Sequence, residues 1–542
     1  MEDMRKKVRV CVIGIDGGTW NVIKPWLKDL PNLSKLMNNS VWAEMESTYP
    51  FFTSPAWKCY SSGKNPGKLG AYAWFNLDLE KKEIKLNISS SFKGKEIWDW
   101  LSESGYKCVI INMPQTYPPK KVKGIMISGF PAFDWSDYTY PKDYKKKLIR
   151  KYDYKINPKH NLSLNKEKAL QEIECLIRSR FRIAKDLLKD ERPDFLNVTI
   201  FYIDKLQHFL WKHKSIIKEF WKIIDKEIGE LLQVIDKTTY VFIISDHGFT
   251  ELRAVFRLNM WLQQKGYLHL KSNPFRKKLD VFMNLYKLGL NRERILKIIT
   301  FLNLTNLIRK ILPEDKIISI QHHIPSGKEE LEIASVVKYV NWNKTKAIVA
   351  AENCLYINLP KKSEEYSKFR DKLTSELQNI KDPRTNEKII VALKKKEDVY
   401  TGEFIDFAPD LAIVPQEGYR VYDGITKERI WDFSDDPWSG YHKVEGIFLV
   451  HGPDIKRTGE QIKNVKIYDL NPTILHIFGI PIPENTDGRV LTEVFKPNSE
   501  LANRKIVYGK TQSEKKREQE EKSLTEQDTE RIKERLKSLG YF

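Results

Sequence analysis

Three apolar runs in this chain end in aspartate: VRVCVIGID closes on Asp16, NVTIFYID on Asp204 and TTYVFIISD on Asp246. Runs this rich in Val and Ile suit strands buried on both faces, the condition of a parallel sheet covered by helices. Helical segments alternate with them. NVIKPWLKDL follows Asp16, IWDWLSESGYKCVIINMP reads as helix then strand, and the helix around EIECLIRSRFRIAKDLLKD precedes PDFLNVTIFYID. The alternation predicts an α/β layered fold with a mostly parallel sheet. In such sheets the ligand crevice lies at the carboxyl ends of the strands, so the three aspartates are expected on one rim.

The 542 residues, 41% of them hydrophobic, suffice for one large domain with an insertion or for two to three domains. From about residue 273 to 341 the pattern shifts to short Lys- and Arg-rich helices and a polar stretch with His322 and His323, read as an inserted cap. We divide the chain into a catalytic core (1–255), the cap region (256–345), a second part of the core (346–497) and a charged helical tail (498–542). In the tail Ile532, Leu536 and Leu539 share one face and Gly540 is the cap, so docking on the surface is expected.

No apolar run approaches the roughly 18 residues of a membrane span. The start, MEDMRKKVRVCVIGID, passes from charge directly into a strand, and a cytoplasmic protein is expected. Cys11, Cys59, Cys108, Cys175 and Cys354 are scattered without a C-x-x-C pair, which argues against a disulfide framework or a zinc–thiolate site and for buried free thiols. The formal charge of +20 favours anionic partners. Much of that excess is Lys in helical stretches such as KDYKKKLIRKYDYK, and no recognition-module signature accompanies it, so specific nucleic-acid recognition is not expected.

Chemistry enters with YPFFTSPAWKCYSSGKNPGKLG. Thr53, Ser54 and Pro55 open a helix whose free N–H groups and dipole favour an anion. A hydroxyl placed there, Thr53 or Ser54, is a candidate nucleophile, although both are ordinary N-cap residues. Asp204 and His208 form D-x-x-x-H on one helical face. Asp246 and His247 stand together in SDHGF, with Gly248 expected to allow a tight turn, and His442 lies in SGYHKVEGIFLV just before another strand. Carboxylate and imidazole without thiolate suit zinc, with manganese or iron as substitutes. Taken singly, Asp16 is also explained as a helix cap, D-x-x-x-H as a helical pair and His442 as a surface residue. His213, His322, His323, His451 and His476 have no matching partners and are read as structural.

The ordered series GIDGG, YPFFTSPAW…GKNP, D-x-x-x-H, SDHGF and G-x-H resembles the alkaline phosphatase superfamily, in its type I phosphodiesterase and nucleotide pyrophosphatase branch. Weaker matches, LNMWLQQKGYL, VNWNKTKA, DLNPTILHIFGIPIP with DGRVL, and LGYF, extend it over most of the chain, while the inserted cap matches poorly. The resemblance implies a three-layer α/β/α sandwich and two divalent metal ions. It implies that Asp16, Asp246, His247 and the Thr53 hydroxyl hold one ion, and Asp204, His208 and His442 the other. It also settles the nucleophile as Thr53, two positions before the proline, and implies a phospho-threonine intermediate that water hydrolyses. The expected partner is a small anionic phosphate ester, with a nucleotide among the candidates.

Departures from the pattern matter too. Thr53, Pro55 and Trp57 stand where a sulfatase carries C/S-x-P-x-R, so sulfate-ester hydrolysis is not expected. Trp74 occupies the position of the Asn that binds phosphoryl oxygen in diester-cleaving relatives, leaving Lys58 and Asn76 as candidate substrate contacts. Two rival readings are a phosphomutase or phosphotransferase of the same superfamily and a binding protein that has lost catalysis.

Overall fold

The computed structural model describes residues 9–163, 165–271, 330–331, 337–426, 429–433, 438–509, 528–529 and 531–533. Its centre is a nine-stranded sheet in the order Val465–Lys466, Val41–Glu46, Glu445–His451, Tyr240–Ile244, Val10–Ile15, Phe195–Ile200, Cys108–Met113, Gly124–Ser128, Thr139–Tyr140. The five strands from Tyr240–Ile244 to Gly124–Ser128 run parallel to one another. Antiparallel partners flank them on both sides.

Side-chain alternation in the central strand builds the layers. Cys11, Ile13 and Ile15 enter one core with Phe181, Ile224 and Leu206, whereas Val10 and Val12 enter another with Trp57, Trp98 and Ile474. The first core thus lies under helices Lys166–Glu191, Lys214–Val234 and Tyr202–Leu210, and the second under Thr53–Ser62, Ile97–Glu103 and Leu470–Phe478. A strand buried on both faces exposes its period-2 pattern only as two apolar sets, which is why the sequence shows a continuous run. The result is an α/β/α sandwich.

NVIKPWLKDL does not form one helix. A turn of helix at Trp20–Ile23 passes into a 3₁₀ segment, Lys24–Asp29, and a second helix starts at Pro31, because Pro25 and Pro31 each lack the N–H an uninterrupted helix needs. The strand PDFLNVTIFYID ends at Ile200, so Asp204 sits in the first turn of helix Tyr202–Leu210 rather than at the strand end. Helix Thr53–Ser62 has Phe52, in extended conformation, as its N-cap, and neither Thr53 nor Ser54 caps it.

The strand-like runs after residue 346 do not continue the nine-stranded sheet. Ala347–Ala351, Cys354–Ile357, Leu411–Pro415 and Ile390–Lys395 form a separate antiparallel sheet with helix Glu364–Gln378 on a core of its own. Tight connections such as the turn at Asn353 (φ 62°) permit antiparallel neighbours and replace the crossover helices a parallel sheet requires. The chain rejoins the large sheet at Glu445–His451. Within the region read as a cap, strand Ala254–Arg257 and helix Leu258–Gln264 pack into this smaller core, and the Lys- and Arg-rich helical stretch with His322 and His323 lies outside the described residues.

In the tail, Ile532 is fully buried in the first core and the Arg531 guanidinium lies over Trp135. Leu536, Leu539 and Gly540 lie outside the described residues. All five cysteines are free, four of them buried and Cys175 exposed. Among the described residues no helix is long and apolar enough to cross a membrane.

Candidate active site

The carboxyl rim of the sheet collects the expected residues. Asp16 follows Ile15, Asp246 and His247 follow Ile244 by two and three positions, and helix Tyr202–Leu210 presents Asp204 and His208 one turn apart. His442 arrives from a different direction. Strand Gly440–Lys443 pairs antiparallel with Gly248–Glu251, with Phe249 opposite His442, and this ribbon carries the imidazole to the rim. Gly248 makes no left-handed turn here. Its missing side chain leaves room for the Glu445 carbonyl oxygen, which would stand 1.9 Å from a Cβ.

Thr53 heads its helix with its hydroxyl donating to Asp16 Oδ1 at 3.3 Å and 3.4 Å from His247 Nε2. His247 Nε2 lies 3.3 Å from Asp246 Oδ2, and Asp16, Asp204 and His247 offer ligand atoms within 4.8 Å of one another. Asp204, His208 and His442 form a second such group. There His442 Nε2 is 2.9 Å from His208 Nε2 and 3.1 Å from Asp204 Oδ1. The structure therefore places Asp204 between the two groups, where the resemblance gave it to one.

Two of the imidazoles have their tautomers fixed by backbone. His208 Nδ1 donates to the Gly440 carbonyl (3.0 Å) and His247 Nδ1 to the Gly248 carbonyl (3.1 Å), which leaves each Nε2 lone pair facing the cluster. Two imidazole nitrogens and a carboxylate converging at this separation suit a shared cation better than any set of mutual hydrogen bonds. Burial makes the same point. It drives His208, His247 and His442 down to about 3, so all three are neutral, and it pushes Asp16 and Asp246 well above the usual carboxylate range, with neighbouring carboxylates adding to the rise. Neutral donors around buried carboxylates leave a deficit of positive charge.

Trp57, at the place of the sulfatase Arg, orients Asp16: its indole N–H donates to Asp16 Oδ2 at 2.8 Å, leaving Oδ1 for Thr53. Gly14 makes this possible, since a Cβ there would meet the Trp57 ring at 2.7 Å. The signal was the four-residue spacing from Thr53, one helical turn. The Gly17 N–H donates to Asp246 Oδ1 at 3.1 Å and fixes the other carboxylate.

The two candidate substrate contacts sit elsewhere. Lys58 is buried with its ammonium 3.0 Å from Glu96, in a network with Lys120 and Asp99. Asn76 holds a turn, donating to the Gly70 carbonyl and accepting from the Tyr72 N–H and from Asn87. Both have local partners that account for their burial or position. A buried amide that the sequence reading passed over, Gln115, donates to Ser54 Oγ at 2.8 Å, and the Ser54 hydroxyl donates to the Ala73 carbonyl at 3.1 Å. Ser54 is thus engaged away from Thr53. A cavity of about 420 Å³ is lined by Trp438, whose indole stacks on the His208 ring at 3.7 Å between centres, and by Lys212, Arg253, Arg384, Asp432 and Phe433.

The α/β/α sandwich thus carries an Asp/His/Thr cluster on the carboxyl rim of its sheet. The type I phosphodiesterase / nucleotide pyrophosphatase family matches residues 10–300, and the chain belongs to that family. No curated protein matches the sequence. Among solved structures, murine ectonucleotide pyrophosphatase / phosphodiesterase 5 is similar at 12% identity and a TM-score of 0.50, covering 90% of this chain and 100% of its own. An inactive variant of it in complex with AMP covers 88% and 96% at the same identity and TM-score. Phosphonoacetate hydrolase from Sinorhizobium meliloti 1021, in complex with phosphonoformate, is similar at 12% identity and a TM-score of 0.53, over 86% of this chain and 95% of its own. At such identity these likenesses show the fold.

Proposed function

We propose that this hydrolase cleaves a phosphodiester or pyrophosphate bond through a phospho-threonine at Thr53, with a small anionic phosphate ester as substrate. The observation that carries the reading is the Thr53 hydroxyl at a helix start, directed at Asp16 and within reach of a lone pair on His247. Thr53 Oγ attacks phosphorus in line with the leaving oxygen, and Asp16 Oδ1, already its hydrogen-bond acceptor, is the first group placed to receive its proton. Backbone N–H groups of the first helical turn orient the phosphoryl oxygens. Water then attacks phosphorus from the side opposite Thr53 Oγ, the Oγ–P bond breaks as Asp16 returns its proton to the Thr53 oxygen, the phosphoryl product carries off the water's proton, and two inversions give net retention.

Divalent cations fit the donor set, one at Asp204, His208 and His442 and one at Asp16, Asp246, His247 and Thr53. Zinc, ahead of manganese or iron, would favour the alkoxide and offset phosphoryl charge when bound. The cavity beside Trp438, with three cationic and two acidic side chains in its wall (Lys212, Arg253, Arg384; Glu251, Asp432), supports an anionic leaving group that also carries polar groups. The free thiols support the cytoplasmic reading.

The test is metal analysis with hydrolysis of bis-p-nitrophenyl phosphate. Bound metal with turnover is expected; no metal bound and no turnover with added zinc or manganese would sink the proposal. Trapping the phospho-enzyme and offering it water against a second alcohol separates hydrolysis from phosphotransfer.

A further inference from the structure

Behind His208 and His442 stands a set of side chains outside both ligand groups. Trp438 stacks on the His208 imidazole with ring centres 3.7 Å apart, and the Arg420 guanidinium lies 4.2 Å from the centre of the same indole. Arg420, itself buried, donates to Glu352 Oε1 through Nε at 2.9 Å and through Nη2. The second oxygen of that carboxylate accepts the Tyr441 hydroxyl at 2.5 Å. Tyr441 immediately precedes His442, and its ring lies within 7° of parallel to the imidazole at 5.4 Å. One carboxylate therefore reaches both histidines, each through a rigid aromatic ring.

Glu352 belongs to the other sheet. It occupies the hairpin turn between Ala347–Ala351 and Cys354–Ile357, so the smaller core supplies the anchor for two ligands of the larger one. We propose that Glu352 is a positioning residue for the His208–His442 pair, fixing the two imidazoles for a divalent cation through Arg420, Trp438 and Tyr441. The proposal rests on the metal-dependent reading above. Its charge matters as well as its geometry. The Glu352 carboxylate faces the buried Arg420 guanidinium, so its loss would remove negative charge beside a cation site as well as an anchor.

Zinc titration of the full chain against a competing chelator, alongside melting of the metal-free protein, provides the test. Glu352→Gln is expected to weaken one zinc equivalent by about tenfold or more while the other keeps its affinity, as for other residues that orient metal ligands. Glu352→Asp is expected to restore most of the loss. A role confined to stability would lower the melting temperature and leave zinc affinity unchanged, and that result overturns the proposal. Should Glu352→Gln fail to fold, Tyr441→Phe removes a single hydroxyl. A severalfold weakening of one equivalent supports the proposal, and wild-type affinity overturns it. A wild-type chain that binds no zinc fails the metal-dependent reading itself, a result distinct from either.

Discussion

Asp16, Asp246 and His247 leave adjacent parallel strands of one sheet, whereas His208 comes from a helix and His442 from a two-stranded ribbon outside that sheet. The first group is held by what the sheet itself supplies. Strand register sets Asp16 beside Asp246, the Gly17 N–H fixes one carboxylate and Trp57 the other. The second group depends on a two-stranded ribbon and on side chains anchored in the smaller sheet. Register within the large sheet secures one half of the cluster, and a ribbon braced from the smaller sheet secures the other.

Substitutions can break or sharpen this contrast. Thr53→Ala, at the first group, is expected to cut turnover by at least about a thousandfold while metal stays partly bound, because it removes the nucleophile and only one ligand. Retention of substantial bis-p-nitrophenyl phosphate hydrolysis would place the nucleophile elsewhere. His442→Ala is expected to cost more than about a hundredfold in zinc affinity of one equivalent, measured by chelator competition, with the fold intact by circular dichroism. Equal loss at both equivalents would show that the two groups do not act separately.

Trp57→Phe keeps the ring and loses the hydrogen bond to Asp16, so about a tenfold fall in kcat is expected with little change in melting temperature. A large fall in stability instead would make Trp57 a packing residue. Protons should also compete with metal. With the imidazoles neutral down to about 3, Asp16 and Asp246 are the groups that rise, so zinc affinity should fall with decreasing pH already above the usual carboxylate range, and a flat profile would contradict their assignment.

The smallest effects on chemistry are expected at Ser54 and Lys58. Ser54→Ala should keep most activity because its hydroxyl is committed to Ala73 and Gln115. An inactive Ser54→Ala with an active Thr53→Ala would mean that the register of the helix start is misread. Lys58→Met should lower stability by about 1–3 kcal/mol in denaturant titration, since Glu96 loses a buried partner, and leave KM unchanged. A raised KM would return Lys58 to the substrate.

The sequence by itself determined the layered α/β fold and the residues of the rim. Apolar runs ending in aspartate specify buried strands and their acidic ends, D-x-x-x-H needs only helical periodicity, and the family is legible in the order of the motifs. Local signals also misled where tertiary partners decide. The runs after residue 346 read as strands but not as a second sheet, because strand propensity does not say which partner a strand will find. Lys58 and Asn76 lie near Thr53 in sequence, yet helix rotation and a local turn direct them to Glu96 and Gly70. Only the tertiary structure turned Trp57 toward Asp16, placed Asp204 between two ligand groups and set Glu352 behind His208 and His442. Those contacts join residues 41 to 238 positions apart, beyond the reach of helix and strand periodicity, and packing chooses the neighbour.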